Sequence, residues 1–257
     1  MGPDAAEPAW DEPIVGFSNG DDPLYAQFKA DIGPFYLTPE EIFNSSFPKR
    51  KVVSGYLTVI SWVLPQTEAT KIDARREYWY PPERWVRSRK YGEDCNAHLH
   101  DHVVRELQRA GFPGVAPSRS PLWKIKNSER FGVASTWSER HAAHVAGLGT
   151  FGLCDGLITP VGKAVRCGSV VARIAIPPTK RLYSDHHAYC LFYAKGTCGA
   201  CIRRCPAGAI SPKGHDKEKC KSYILNGTLP NSTSRFGIRA QACGLCQTKV
   251  PCESGIP

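Results

Sequence analysis

From Lys51 to Leu64 (KVVSGYLTVISWVL) the chain is dense in β-branched and aromatic residues, with no helical spacing, and the run stops at Pro65. That pattern predicts a core strand. From Asp94 to Ala110 the apolar residues Leu99, Val103, Leu107 and Ala110 recur at helical spacing, and Gly111 follows. A helix with a glycine stop is predicted there. Thr136 to Gly147 reads as a second helix, with Thr136 and Glu139 as its capping box and Gly147 at its end. Thr38-Pro39-Glu40-Glu41 also marks a helix start, with threonine as cap, proline in the first turn and acids against the dipole. Leu153 to Thr159 and Val165 to Ile176 read as strands joined by a turn at Pro160 to Lys163, and Pro177-Pro178 closes this part.

The pattern weakens at both ends. Residues 1–22 carry Pro3, Pro8, Pro13 and several acids without periodic apolar positions, and are expected to form a flexible tail. Residues 23–180 are expected to form an α/β domain. Residues 181–257 have few apolar runs and short spacings between turn residues, which predicts a small domain held by metal rather than by a large core.

Composition narrows the class. The 257 residues are 42% hydrophobic and 22% charged, an ordinary globular balance. No run reaches the roughly 18 apolar residues of a membrane span, and Met1 to Trp10 lacks the basic and apolar regions of a secretory signal. A cytoplasmic protein without membrane contact is expected. Thirty-three Lys and Arg against 24 Asp and Glu give a net charge of +9, which favours anionic partners. Arg203 and Arg204 beside the cysteines are candidates for steering an acidic redox partner.

Eleven cysteines in a chain without an export signal point to metal ligation or redox chemistry. The run Cys198-Gly-Ala-Cys201-Ile-Arg-Arg-Cys205-Pro206 matches the end of the bacterial ferredoxin pattern C-x2-C-x2-C-x3-C-P. Its first cysteine would fall at Lys195, and Cys190 stands five residues earlier to replace it. Cys220, Cys243, Cys246 and Cys252 follow, so eight thiols are present, enough for two [4Fe–4S] clusters. Because the cysteine before proline serves the other cluster, the expected sets are Cys190, Cys198, Cys201 and Cys252, then Cys205, Cys220, Cys243 and Cys246. Structural zinc on the two C-x2-C pairs is the alternative, and it leaves four cysteines without a role.

Cys95, Cys154 and Cys167 are expected to be small core residues, with Cys154 the most notable because it closely follows the glycine loop. His98 and His102 lie one turn apart on the predicted helix with Cys95 a turn before them, a spacing able to bind metal but equally that of a polar helix face. His141 with His144, and His186 with His187, border the glycine loop and Cys190 respectively.

The segment Glu139-Arg140 through Ala146-Gly147-Leu148-Gly149 to Gly152, then Leu157-Ile158-Thr159, resembles a stretch of the epoxyqueuosine reductases and of their relatives, the corrinoid-dependent reductive dehalogenases. The Cys198 to Ile210 run, the Cys220 to Tyr223 element and the Cys243/Cys246 pair follow in that family's order, so the resemblance covers roughly residues 50 to 257. It implies a nitroreductase-like α/β domain beside a ferredoxin-like domain with two [4Fe–4S] clusters. It also implies cobalamin, or in second place a flavin, approached by Gly147, Leu148 and Gly149. The clusters would pass single electrons to the corrinoid, which reduces a small or nucleoside-like substrate.

The expected partners are a low-potential donor (ferredoxin or flavodoxin) and a small-molecule substrate. Transfer RNA is disfavoured, because the helical repeats that follow the clusters in many of those enzymes have no counterpart here. Where those reductases carry an acid thought to donate a proton, this chain has Val133. Tyr56, Tyr78, Tyr80, His141 and His144 are the other candidate donors. A non-catalytic ferredoxin-type electron carrier with a docking domain is the alternative function.

Overall fold

The computed structural model describes residues 7–257. The chain opens with strand β1 (Ile14–Asn19), then helices α1 (Pro23–Ile32) and α2 (Pro39–Ser46) and strand β2 (Thr58–Pro65). Helices α3 (Glu68–Arg76), α4 (Glu83–Arg87) and α5 (Glu93–Arg109) lead to β3 (Gly114–Val115) and the hairpin of β4 (Ile125–Ser128) and β5 (Gly132–Ser135). Helix α6 (Glu139–Val145), the short pair β6 (Thr150–Phe151) and β7 (Leu157–Ile158), and the long β8 (Val165–Ala172) complete the first part. The cysteine-rich remainder holds α7 (Leu191–Lys195), α8 (Ala200–Arg204), the hairpin β9 (Ile210–Ser211) and β10 (Gly214–His215), α9 (Lys217–Tyr223) and α10 (Leu229–Phe236).

The main sheet is antiparallel with strand order β1-β2-β8-β3. Its two central strands are mostly apolar and mostly buried because helices cover both faces. Val59 and Val171 join Ile42 and Phe43 of α2 and Ala142 and Val145 of α6 in one core. Trp62, Leu64, Val170 and Ala172 point the other way, against Leu99, Val103 and Leu107 of α5. Successive side chains of a strand alternate between faces, so one run supplies both cores. Opposite Trp62 in the register lies Gly168, where a Cβ would sit 2.4 Å from the indole ring; only glycine fits.

Several expectations are borne out. Thr38 caps α2 with Pro39 in the first turn, and Thr38 and Glu41 form a complete capping box. Helix α5 matches the predicted helix to within one residue at each end. Gly147 stops α6 at a φ of 79°.

Others are corrected. Residues 14–19, placed in a flexible tail, form β1 and pair with residues 58–63 of β2; Met1 to Ala6 lie outside the described residues. The strand predicted from Lys51 begins only at Thr58. Asn44 holds both polar backbone groups of Val52, and Glu40 accepts from Ser54 N, which bends residues 52–56 onto α2. Helix α6 is capped by Ser138 rather than Thr136. The Thr136 hydroxyl instead donates to Leu122 O and accepts from Lys124 N, and the Glu139 carboxylate accepts from Ser169 Oγ. Leu153 to Thr159 is mostly a turn, with only Leu157–Ile158 in a strand. The strand expected to reach Ile176 ends at Ala172. Cys95, expected in the core, is exposed on α5 with His98 and His102 beside it, so that helix face is polar and solvated.

The cysteine lobe is sewn to the sheet. Its apolar cluster takes Leu153, Cys154 and Ile158 from upstream of residue 181. The backbone N–H of Lys163 donates to Cys252 O and Glu253 O. A Cβ at Gly162 would lie 2.0 Å from Glu253 O, so the two segments meet backbone to backbone.

Candidate metal centres

The cysteines of the lobe sit on or beside its short helices and tight turns. Cys190 precedes α7, and Gly196 stops that helix after five residues in a left-handed turn. Cys201 lies on α8, and Cys205 ends it just before Pro206. Cys220 is on α9. Cys243 and Cys246 flank Gly244, whose φ is 73° and whose missing side chain makes room for the Trp85 ring. Cys252 is held by its neighbour Glu253, which receives the Arg75 guanidinium at 2.9 Å.

The sulfurs form two groups bridged by Cys154, which hydrogen-bonds to both Cys201 and Cys246. Cys190, Cys198, Cys201 and Cys252 line one small cavity together with Leu153, Ile158 and Lys163. Cys205 and Cys220 act electrostatically on Cys243, and Cys243 acts on Cys246. Backbone amides turn toward sulfur, as a cluster ligand needs: Ala209 N donates to Cys205 Sγ at 3.3 Å, and Leu245 N to the Cys243 sulfur. Burial pushes the Cys243 thiol up to about 11 and raises Cys252 as well, so thiolates here call for a cationic partner. Among the described residues, no three His, Cys, Asp or Glu side chains gather as around a single metal ion. The donor set itself fits two iron–sulfur clusters: eight thiols in two groups, an apolar surround, and N–H groups aimed at sulfur.

No family model matches the chain. It is 31% identical over 124 residues to an epoxyqueuosine reductase of Bacillus anthracis, covering 46% of this chain and 30% of that protein. An epoxyqueuosine reductase of Leadbetterella byssophila is 25% identical over 224 residues, 82% of this chain and 64% of the relative. A solved catabolic reductive dehalogenase superposes over 95% of this chain and 30% of its own, with a TM-score of 0.56 at 16% identity, a likeness of fold. The chain is a divergent relative of the epoxyqueuosine reductases, and it shares the fold of a reductive dehalogenase. It has their mixed α/β fold, and it spans less than two thirds of the length of the two curated relatives.

Against those relatives, the glycine loop is the least accommodating feature. A Cβ at Gly149 would lie 2.3 Å from Ile158 O, and one at Gly147 would meet Thr179 and Lys180. Leu148 is buried in the apolar cluster with Val63 and Leu157. Gly149 N donates to the Tyr183 hydroxyl, and Gly149 O faces His144 Nδ1 at 2.7 Å. These residues are small because the chain's own backbone crosses there. On this side the loop is closed by its own chain.

The candidate proton donors do not converge. His141 is enclosed by Phe28, Tyr36 and Phe151, and His144 stacks on Tyr183. Burial pulls His141 down to about 3 and His144 to about 4, so both rings are neutral near pH 7. Tyr56 is exposed on the turn before β2. Tyr78 is exposed beside Lys249, and Tyr80 stacks on Tyr223 across the lobe. The carbonyl of Val133 accepts from Lys217 Nζ. Arg204 is also corrected: it is buried, and its guanidinium donates to the carbonyls of Ala74, Glu77, Leu245 and Thr248. It joins α8 to α3 rather than facing a partner, whereas Arg203 is exposed.

Two polar groups escaped the sequence reading because their members lie far apart in the chain. Beneath the sheet, His100, Glu139 and Ser169 meet: Ser169 N donates to His100 Nε2, and Trp137 Nε1 to Ser169 Oγ. Their only signal was a polar residue at an otherwise apolar position, such as Ser169 within β8. In the cysteine lobe, Lys163 Nζ donates to Cys154 Sγ at 3.3 Å. Sulfur hydrogen bonds from Cys201 and Cys246 hold the Cys154 thiol well below its ordinary range. Burial opposes the charge of Lys163, but the thiolates of Cys154, Cys252, Cys246 and Cys201 outweigh it and raise its pKa above the usual lysine range.

Proposed function

We propose that the chain is an iron–sulfur oxidoreductase that moves single electrons through two [4Fe–4S] clusters. Cys190, Cys198, Cys201 and Cys252 would hold the first, and Cys205, Cys220, Cys243 and Cys246 the second. The observation that carries this reading is the gathering of eight cysteines from five separate segments into one lobe, four of them around a single cavity and three more beside one another, with backbone amides directed at sulfur. The resemblance to epoxyqueuosine reductases supports redox chemistry on an acceptor held by the nitroreductase-like α/β region, with the cysteine lobe as its ferredoxin-like domain. The clusters supply one-electron reduction when bound. The protein's own contribution is to exclude water from the thiolates, with Leu153, Ile158, Ile210 and Val250 as the apolar wall, and to fix the ligands through Arg75 and Arg204. A ferredoxin or flavodoxin would supply the electrons, and the acceptor is a small molecule.

A second reading, an electron carrier whose α/β region docks a partner, is favoured by the closed glycine loop and by the absence of an acid at Val133. One experiment separates the two. The protein is purified without oxygen, its iron, sulfide, zinc and cobalt are counted, and its visible spectrum is recorded before and after cobalamin is added. About eight irons and eight sulfides per chain support the two clusters. A shift of the corrin bands on mixing establishes a corrinoid acceptor, and unshifted bands favour the carrier. Zinc in place of iron overturns both.

A further inference from the structure

Lys163 is the most unusual charge in the molecule. Its residue is 3% exposed, and no carboxylate among the described residues forms a salt bridge with it. The acid nearest along the contact, Glu253, shares backbone hydrogen bonds with Lys163, but its carboxylate belongs to Arg75. The neighbouring Lys71 takes Glu68 and the Ser254 hydroxyl. Lys163 therefore faces sulfur alone. Its ammonium is 3.3 Å from Cys154 Sγ, and its side chain lines the same cavity as Cys190, Cys198, Cys201 and Cys252.

The local fold is built to put it there. The pairing of residues 163 and 164 with Cys252 O and Glu253 O fixes the direction of the side chain. The stem then crosses Gly156, where a Cβ would lie 2.9 Å from both Cγ and Cδ of Lys163. A buried ammonium without a carboxylate is unfavourable in an ordinary core. Beside a cage of thiolates it is not, because the negative charge of the cluster compensates it, and more so after the cluster gains an electron.

We propose that Lys163 is a positioning charge for the first cluster: its ammonium, held between Cys154 and the Cys252 end of the cavity, stabilises the reduced cluster and raises its midpoint potential. Cys154 is then the sulfur that orients the ammonium and is not an iron ligand. The proposal rests on the two-cluster reading above. It explains why a ninth thiol and a lysine lie inside a lobe whose eight other cysteines suffice for the metal.

The test uses the full chain, purified without oxygen, titrated with dithionite in the presence of mediator dyes and followed by electron paramagnetic resonance. Each cluster takes up one electron from dithionite, and no bond is made or broken. Lys163→Met is expected to keep its iron and to lower the potential of one cluster by the equivalent of a tenfold change in equilibrium, 59 mV for one electron. Lys163→Arg, which keeps the charge, should return most of that shift. Cys154→Ser should retain about eight irons. If Lys163→Met does not load iron, Lys163→Gln, neutral but still able to donate to sulfur, gives the same reading. Unchanged or raised potentials in the neutral variants overturn the role of Lys163, and so does loss of a cluster from Cys154→Ser, which would make Cys154 a ligand. A wild-type protein without iron overturns the two-cluster reading itself, so the two failures are distinct.

Discussion

The sheet and the cysteine lobe are stabilised by different means. In the sheet, β2 is paired along its full length with β8 on one side and over six residues with β1 on the other. Its core is made of large side chains such as Ile42, Phe43, Val59 and Trp137, all but fully buried. In the lobe, the strands are two residues long and the helices five to eight. Four of the eight buried members of its apolar cluster are cysteines. Elements this short do not persist on propensity alone. The sheet is thus organised by apolar burial, and the lobe is organised around its sulfurs.

The sharpest way to break this contrast is to remove the metal. Chelation of reduced, iron-loaded protein is expected to abolish amide hydrogen-exchange protection in α7, α8 and α9 while leaving β2 and β8 protected. Equal loss in both regions would show that the lobe and the sheet fold as one unit.

A smaller effect tests the joint between them. Arg204→Met removes the hydrogen bonds that tie α8 to Ala74 and Glu77 of the α3 region and leaves their carbonyls buried. It should cost about 3 kcal/mol in denaturant unfolding, and it should lower protection in the lobe more than in the sheet.

The smallest effect is on pH dependence. The folded pKa values of His141 and His144, about 3 and about 4, lie below the unfolded value near 6.5. The unfolded chain therefore binds more protons in this window. The stabilisation is fully present above pH 6.5 and is lost as pH falls toward the folded values. His141→Phe should move the acid-unfolding midpoint of the α/β region to lower pH; an unmoved midpoint would show that other groups govern it.

What the sequence could disclose was local or repetitive. Thr38, Pro39 and Glu41 specify a helix start within four residues, and the predicted cap is the one formed. The alternation and density of β-branched residues in Thr58 to Leu64 disclose a strand buried on both faces, though not where it begins. Asn44 and Glu40, more than ten residues earlier, decide that through hydrogen bonds. The spacing of Cys198, Cys201 and Cys205 before Pro206 announces metal chemistry because a cluster needs thiolates from one tight loop.

The remaining features depend on where distant segments meet. Thr136 and Glu139 have the spacing of a capping box, yet Leu122 and Ser169 compete successfully for their side chains. Arg204 reads as a surface charge until four carbonyls from two segments surround it. That the glycines of the 147–149 loop pack against Ile158 and Lys180 shows only in the tertiary structure. Composition and spacing disclosed a cysteine-rich lobe suited to metal ligation beside a mixed α/β region. Tertiary structure decided which charges are buried and which sulfurs share a cavity, because the energy of a buried polar group is set by its neighbours in space rather than in sequence.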